Sequence, residues 1–467
     1  MEKRYENFED KRLEIFRHLI NKRWDDSLTT EDLNNIALEI MEKYDFEEEE
    51  LPSIKDHIRV ALGQDPNNRR EFDDEIENIY KNNPVESPIL TKIEGICQRC
   101  ERSIEECDCA DTCKYEAQMY VESSGPVIDD KKCLTCGRCT IDCNYGAFAD
   151  KIEFIPIINF LEDDSESVFA AVAPSIVGQF GEKVSMGQIR TALMMMGFED
   201  MVEVALFADI LTIKEAYEFD SLVTTEKDFF LTSCCCPVWI NLVKKNYPGL
   251  FEYMSPSISP MIASGKFLKR LYPDSKVVFI GPCTAKKSEA EQPGLDEEID
   301  FVLTFQELEN IFKSLEIEIE NLPEKDKDHA SFAGRVYART GGVSLSVKTV
   351  INRIAPNRVV SLQAEKVNGV KECKDILDKL KSGNISNNNF IEGMGCDGGC
   401  VGGPKTNIKV DEAKNFVNEF GEESTIMTPM DNMNIIKILQ QIGYNNFEDI
   451  FEKELIEFLS RKELKKE

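Results

Sequence analysis

The chain has 467 residues and a formal net charge of −31, enough sequence for about three domains and the wrong sign for general binding to nucleic acid or an anionic membrane. No run reaches the roughly eighteen apolar residues of a membrane span, and Met1-Glu2-Lys3-Arg4-Tyr5-Glu6 lacks the apolar core of a signal peptide, so a cytoplasmic protein is expected, without nucleic-acid or membrane partners. Sixteen cysteines and only three histidines, His18, His57 and His329, argue against disulfides in a reducing compartment and for thiolate ligation of metal or clusters.

Residues 1–95 contain no cysteine. Leu13, Phe16, Ile20 and Trp24 recur at helical spacing, and Thr30 is a suitable N-cap for a second helix carrying Leu33, Ile36 and Ile40. Glu47 to Glu50 is an acidic run of the kind found at a solvated helix end. A small helical module without chemistry of its own is expected here.

Nine cysteines follow between Cys97 and Cys143. Cys133, Cys136, Cys139 and Cys143 are spaced C-x2-C-x2-C-x3-C, the run of bacterial ferredoxins that bind 4Fe-4S clusters, although Asn144 stands where proline usually follows. Cys97, Cys100, Cys109 and Cys113 resemble an expanded version of the same motif. The last cysteine of such a run characteristically serves the neighbouring cluster. One cluster is therefore assigned Cys97, Cys100, Cys109 and Cys143, and the other Cys133, Cys136, Cys139 and Cys113. Cys107 is left over and is an alternative to Cys109. A pair of zinc ribbons is the competing reading, disfavoured by the tight second run. Lys131, Lys132 and Arg138 lie beside these cysteines and would suit an acidic redox partner, or are ordinary solvated cations.

From about residue 161 the pattern alternates. Ser167–Ala173 reads as a buried strand ending at Pro174-Ser175, and Ile189, Leu193 and Met196 mark a helix closed by Gly197. Lys276–Ile280 is a second buried strand running into Gly281-Pro282-Cys283, and Phe301–Leu303 a third. Strands alternating with helices predict an α/β domain with its chemistry at strand ends. Helical signals return after Gly403, at Ile435, Leu439 and Ile442 and again over Phe447–Leu459. Cys373 has no cysteine neighbour and reads as a buried structural thiol.

Three stretches carry the strongest signal: Thr232-Ser233-Cys234-Cys235-Cys236-Pro237, Gly281-Pro282-Cys283-Thr284-Ala285-Lys286-Lys287-Ser288-Glu289, and Gly393-Met394-Gly395-Cys396-Asp397-Gly398-Gly399-Cys400. Together they resemble the three signature motifs of the [FeFe]-hydrogenase catalytic domain. The resemblance implies an α/β catalytic domain of the iron-only hydrogenase type, two lobes with the H-cluster between them, over residues 161–410. It would be preceded by a ferredoxin-like domain with two 4Fe-4S clusters over 96–160, and flanked by helical extensions over 1–95 and 411–467. The H-cluster is a 4Fe-4S cubane joined to a two-iron unit carrying CO, cyanide and a bridging dithiolate. By this resemblance Cys236, Cys283, Cys396 and Cys400 hold the cubane, with Cys400 bridging. Lys286 holds a cyanide and Glu289 orients it. Pro174 and Ser175 meet the second cyanide, and Met394 lies near the two-iron unit. Cys235, Glu215, Ser255 and Glu218 form the proton relay, although two glutamates three apart also suit a solvated helix face.

The activity implied is reversible oxidation of H2, with electrons exchanged with ferredoxin or a similar small carrier, and with maturation proteins supplying the cofactor. Two other readings stay open. One is a hydrogen sensor of low turnover. The other is a hydrogenase-like iron–sulfur assembly protein without the two-iron unit. Three cysteines in the first motif, instead of two, resemble the group B branch, and the additional Cys234 leaves the register of the relay thiol open. Gly281 and Met261 also depart from the usual residues near the two-iron unit.

Overall fold

The computed structural model describes residues 7–81, 88–97, 113, 117–121, 125–163, 165–325, 327, 329–384 and 388–461. Its centre is a four-stranded parallel sheet. Small antiparallel pairs come first in the chain: β1 (Leu90–Lys92), β2 (Gln118–Val121), β3 (Gly125–Ile128) and β4 (Phe148–Asp150), with β1 paired to β4 and β2 to β3. The central sheet contains β5 (Val168–Val172), β6 (Asp200–Glu203), β8 (Lys276–Gly281) and β9 (Phe301–Thr304) in the order β6-β5-β8-β9. The continuous apolar runs at β5 and β8 are buried along their length, as expected of strands covered on both faces. A second parallel sheet, of three strands, joins β10 (Ala364–Asn368), β11 (Phe390–Met394) and the short β7 (Phe230–Leu231), in the order β10-β11-β7.

This arrangement places the chemistry. In the first sheet the strand order turns back at β5, with β6 on one side and β8 on the other. The crevice beyond the carboxyl ends of β5 and β8 is then the expected ligand position, and Ala173-Pro174-Ser175 and Gly281-Pro282-Cys283 lead directly into it. In the second sheet β7 leads into Thr232–Cys236, and β11 leads into Met394–Cys400. All the motif loops therefore leave carboxyl ends of parallel strands.

The helix Phe8–Trp24 buries Ile15, Phe16, Leu19 and Ile20, which join one apolar core with β5, β8 and β9. The next helix, Thr30–Lys43, is capped by Thr29 rather than Thr30. The choice between adjacent threonines falls on the one three residues before Asp32: Thr29 Oγ1 accepts the Asp32 N–H, and Asp32 accepts the Thr29 N–H at 3.0 Å. The helix Met186–Met195 ends at Gly197, which has φ +100°. At the carboxyl end, helices span Val410–Glu422, Met433–Gln441 and Lys453–Phe458. The apolar stretch Phe447–Leu459 divides at Glu452, whose extended backbone separates a 3-10 turn from the last helix. Cys373 is fully buried, and its thiol donates to the Met394 carbonyl at 3.3 Å.

Candidate metal-cluster site

Cys236 ends the first loop as the N-cap of the helix Pro237–Asn246. Its Sγ accepts the Gly395 N–H at 3.3 Å, and backbone N–H groups of Val238 and Trp239 also favour its thiolate. Ser233 holds φ +69°, a strained conformation for a residue with a Cβ. The turn is fixed from outside by Trp239, whose indole N–H donates to the Thr232 carbonyl at 2.9 Å. The ring lies so close to Gly393 that a Cβ there would sit 2.3 Å from it, so glycine is required. Gly399 adopts φ +94° and ψ −151°, a region open in practice only to glycine.

Cys236, Cys283, Cys396 and Cys400 line one cavity, together with Lys286, Cys235, Pro174, Ser175 and Met394. Apolar atoms form almost the whole wall. The cysteines keep some exposure to this cavity, while the surrounding protein buries them and pushes their thiol pKa values up, to about 12 for Cys283 and about 11 for Cys400. A buried thiol holds its proton until a cation takes the proton's place, so metal loading here releases protons. Among the described residues no three Cys, His, Asp or Glu side chains are gathered closely enough to chelate one ion. Thiols brought by three separate loops to one cavity are the residue type that iron–sulfur clusters take as ligands. Ser175 Oγ is buried without a hydrogen-bond partner and borders the same cavity.

Among the described residues that line the cavity, Lys286 is the one cation. The buried Lys286 ammonium donates to Glu289 Oε2 at 2.6 Å. Ser259 Oγ donates to the same oxygen at 2.9 Å, and Arg461 Nη2 donates to Oε1 at 2.6 Å. Burial alone would raise the Glu289 pKa, but Lys286 and Arg461 hold it below the ordinary value.

Behind the first loop lies a chain of polar groups. Glu215 is buried, and burial, reinforced by Glu218, pushes its pKa up to about 7. Its Oε2 accepts the Thr232 hydroxyl at 3.0 Å. Ser255 and Cys234 lie against the same carboxyl, though Oε1 has no partner at full hydrogen-bond geometry. Ser255 Oγ donates to Glu218 Oε2 at 3.2 Å, and Glu218 forms an ion pair with the buried Lys214. The three adjacent cysteines thus take different places. Cys236 and Cys235 border the cavity, while Cys234 turns toward Glu215 and offers its carbonyl to Arg461 at 3.2 Å. Tyr337 also borders the cavity, and its hydroxyl is bonded to Thr212 at 2.7 Å.

Burial first, and then the neighbouring thiols of Cys113 and Cys133, push the pKa values of Cys136 and Cys139 up, so these four cysteines lie near one another. Cys113 Sγ accepts the Ala117 N–H at 3.3 Å, and Cys133 Sγ the Thr135 N–H at 3.4 Å. This group adjoins the cavity. Cys113 and Cys136 pack in the same apolar cluster as Cys236 and Cys283, and a Cβ on Gly137 would lie 2.5 Å from the hydroxyl of Thr284. Cys143 belongs to the core shared with the N-terminal helices, and Cys97 packs against that core. Cys100, Cys107 and Cys109 lie outside the described residues, as does any choice between the last two. Lys131, Lys132 and Arg138 are exposed.

Lys214, Tyr337 and Arg461 are site residues that the sequence pattern does not single out. Lys214 directly precedes Glu215 and stands one turn before Glu218, a spacing that suits an ion pair on the same helix face. Arg461 lies in a charged tail and offers no such signal.

Residues 166–404 match the family described as iron only hydrogenase large subunit, C-terminal domain. Iron hydrogenase 1 of Clostridium pasteurianum is 29% identical over 423 residues, 77% of this chain and 72% of its own length. The cytosolic Fe-S cluster assembly factor NAR1 of Yarrowia lipolytica is 23% identical over 317 residues, 51% of this chain and 64% of its own. A solved variant of [FeFe]-hydrogenase HydA1 from Chlamydomonas reinhardtii superposes with a TM-score of 0.51 at 21% identity, covering 62% of this chain and 95% of that one. At that identity the structural likeness speaks for the fold alone.

Proposed function

The chain belongs to the iron-only hydrogenase family through its C-terminal domain, and from that premise we propose that it is an [FeFe]-hydrogenase of the group B kind, interconverting H2 with protons and electrons at an H-cluster. The observation that carries the reading is the convergence of four cysteines from three loops, with one buried lysine, on a single apolar cavity. When bound, the two-iron unit would supply the open iron position for H2 and its bridging dithiolate the adjacent base.

The residues divide the remaining work. Cys236, Cys283, Cys396 and Cys400 would hold the cubane, and Cys400 would serve the two-iron unit as well. Lys286 lines the cavity and has N–H groups beyond its bond to Glu289, which a cyanide nitrogen would accept. Ser175, buried and unpartnered in its own hydroxyl, serves the second cyanide beside Pro174. Met394, which lines the cavity, would border the two-iron unit. The cavity wall is almost wholly apolar and offers few proton acceptors, so the route assigned to protons runs by side chains: Cys235 at the cavity, then Glu215, Ser255 and Glu218, which is 16% exposed. A carboxyl with a pKa near 7 is well placed to take and return a proton at neutral pH.

Electrons leave through the ferredoxin-like segment. Cys113, Cys133, Cys136 and Cys139 would hold one 4Fe-4S cluster, and Cys97, Cys100, Cys109 (or Cys107 in its place) and Cys143 a second, which together would supply the electron route. Ferredoxin or a similar small carrier receives the electrons, maturation proteins install the two-iron unit, and the compartment is the cytoplasm. Among the described residues no helix is long and apolar enough to cross a membrane.

The relative named as an assembly factor supports a second reading, an iron–sulfur assembly protein with cubanes alone. The buried Lys286–Glu289 pair and the relay favour the enzyme, because a scaffold has no use for a proton path. Anaerobic maturation followed by assays of H2 uptake and evolution with a viologen dye tests the choice. Turnover in both directions, suppressed by Cys235→Ala, is expected. Full cluster loading without turnover would assign the chain to assembly.

A further inference from the structure

After the helix Lys453–Phe458 the chain turns inward. The Leu459 carbonyl accepts the Ile258 N–H at 3.0 Å, Ser460 pairs antiparallel with Ser257, and the Arg461 N–H donates to the Pro256 carbonyl at 2.7 Å. Residues 459–461 thus lie as a short edge on the stretch between Ser255 and Ser259. This pairing fixes the backbone of Arg461 and sends its side chain beneath the cavity. There Arg461 is only 6% exposed. Nη2 bonds Glu289 Oε1 at 2.6 Å and the Cys234 carbonyl at 3.2 Å, and Nε bonds the Ser257 carbonyl at 3.3 Å. One planar fork ties the helix that carries Lys286, the cysteine loop and the serine-rich stretch. A lysine ammonium, a single point of charge, cannot serve the same three divergent acceptors.

The bond to Glu289 has a consequence for Lys286. Glu289 is fully buried, and both its oxygens are occupied: Oε2 by Lys286 and Ser259, Oε1 by Arg461. A buried carboxylate oxygen that loses its donor is costly and seeks another. The adjacent cation is Lys286, which would turn from the cavity wall to serve both oxygens. Arg461 removes that competition.

We propose that Arg461 is a positioning residue: by occupying Glu289 Oε1 it leaves the outer N–H groups of Lys286 aimed into the cavity, and by holding the Cys234 carbonyl it fixes the loop that presents Cys235 and Cys236. What Lys286 binds rests on the hydrogenase reading above; the anchoring itself does not.

Two measurements separate these levels, each on full-length wild type, Arg461→Gln and Arg461→Lys. Hydrogen exchange of the protein before two-iron insertion follows the peptides covering residues 233–240 and 284–290. In Arg461→Gln these amides are expected to exchange roughly 100-fold faster, as for a buried charge deprived of its partner. Arg461→Lys, which keeps charge against Glu289, should restore protection of 284–290 more than of 233–240. Infrared spectra after maturation should show cyanide bands displaced in Arg461→Gln and returned toward wild type in Arg461→Lys. Unchanged exchange in both peptides together with unchanged bands in Arg461→Gln overturns the proposal. If Arg461→Gln fails to fold, equal protection of both peptides in Arg461→Lys and wild type overturns it as well. If wild type itself shows no cyanide band, the two-iron reading fails, and the exchange data alone decide the anchoring role.

Discussion

Glu215 concentrates the site's chemistry in one side chain. It is fully buried and bonded to Thr232, with Cys234 and Ser255 against it, and burial lifts its pKa from the ordinary 4.5 to about 7. The folded state therefore binds this proton more tightly than the unfolded chain does. Its contribution to stability is present below about pH 4.5 and declines as pH rises toward 7. Glu215→Gln should abolish that decline, seen as a flatter dependence of the urea midpoint on pH over this range. It should also cut H2 turnover by about 100-fold or more while leaving cluster absorbance intact. Lys286→Met makes a complementary test. Glu289 and Arg461 would remain paired, so the fold and the cubane signal should persist, whereas retention of a two-iron unit should be lost. An unaltered infrared spectrum in that variant would remove Lys286 from the cofactor's surroundings.

Single elements differ in how openly their residues declare them. β5 is apolar throughout, and β8 and β9 carry the apolar runs 277–280 and 301–303, so their burial was legible in the sequence. β10 is Ala-Glu-Lys-Val-Asn, and β11 contains the fully buried Glu392, satisfied by the Gly341 and Ser344 N–H groups and the Ser344 hydroxyl. Such strands are set by partners far away in sequence, and their composition conceals them. The cysteine motifs were legible because a cluster demands fixed residue types at fixed spacing, and Cys236, Cys283, Cys396 and Cys400 do line one cavity. Cys234 was not assignable, since three identical residues in a row leave the register to the turn at Ser233. Thr29 took the cap from Thr30 because Asp32 stands three residues beyond it. The glycines of the third motif carry a direct test. A Cβ on Gly399 would lie 2.8 Å from the Thr340 nitrogen, at φ +94°. Gly399→Ala should cost about 1–3 kcal/mol in thermal or denaturant unfolding and lower iron content per chain.

The molecule as a whole is bound together by charges that composition presents as surface. Asp150, at the end of β4, is fully buried beside Arg12 at 2.8 Å and Lys405 at 3.0 Å, with Lys287 at 3.9 Å. Glu9 joins through Arg12 and Lys405, and Lys287 continues to Glu307 at 2.7 Å. This network links the N-terminal helix, the end of the cysteine-rich segment, the second motif and the chain just after the third. Burial would raise the Asp150 pKa, but the three cations hold it well below the carboxylate range. Its contribution is present above the unfolded carboxyl value and is lost as pH falls through the depressed folded one. Asp150→Asn should destabilise the protein by about 3–5 kcal/mol at neutral pH, read from denaturant unfolding, and should loosen amide protection in the helix Phe8–Trp24. An N-terminal region without cysteines thereby acquires a physical role, bracing the loops that carry the ligands.

Infrared spectroscopy of the anaerobically matured wild-type protein reaches the centre of this account. Sharp absorptions of iron-bound carbon monoxide and cyanide, appearing with maturation and shifting under H2, are the expected result. A protein fully loaded with cubanes that never develops those absorptions would contradict it.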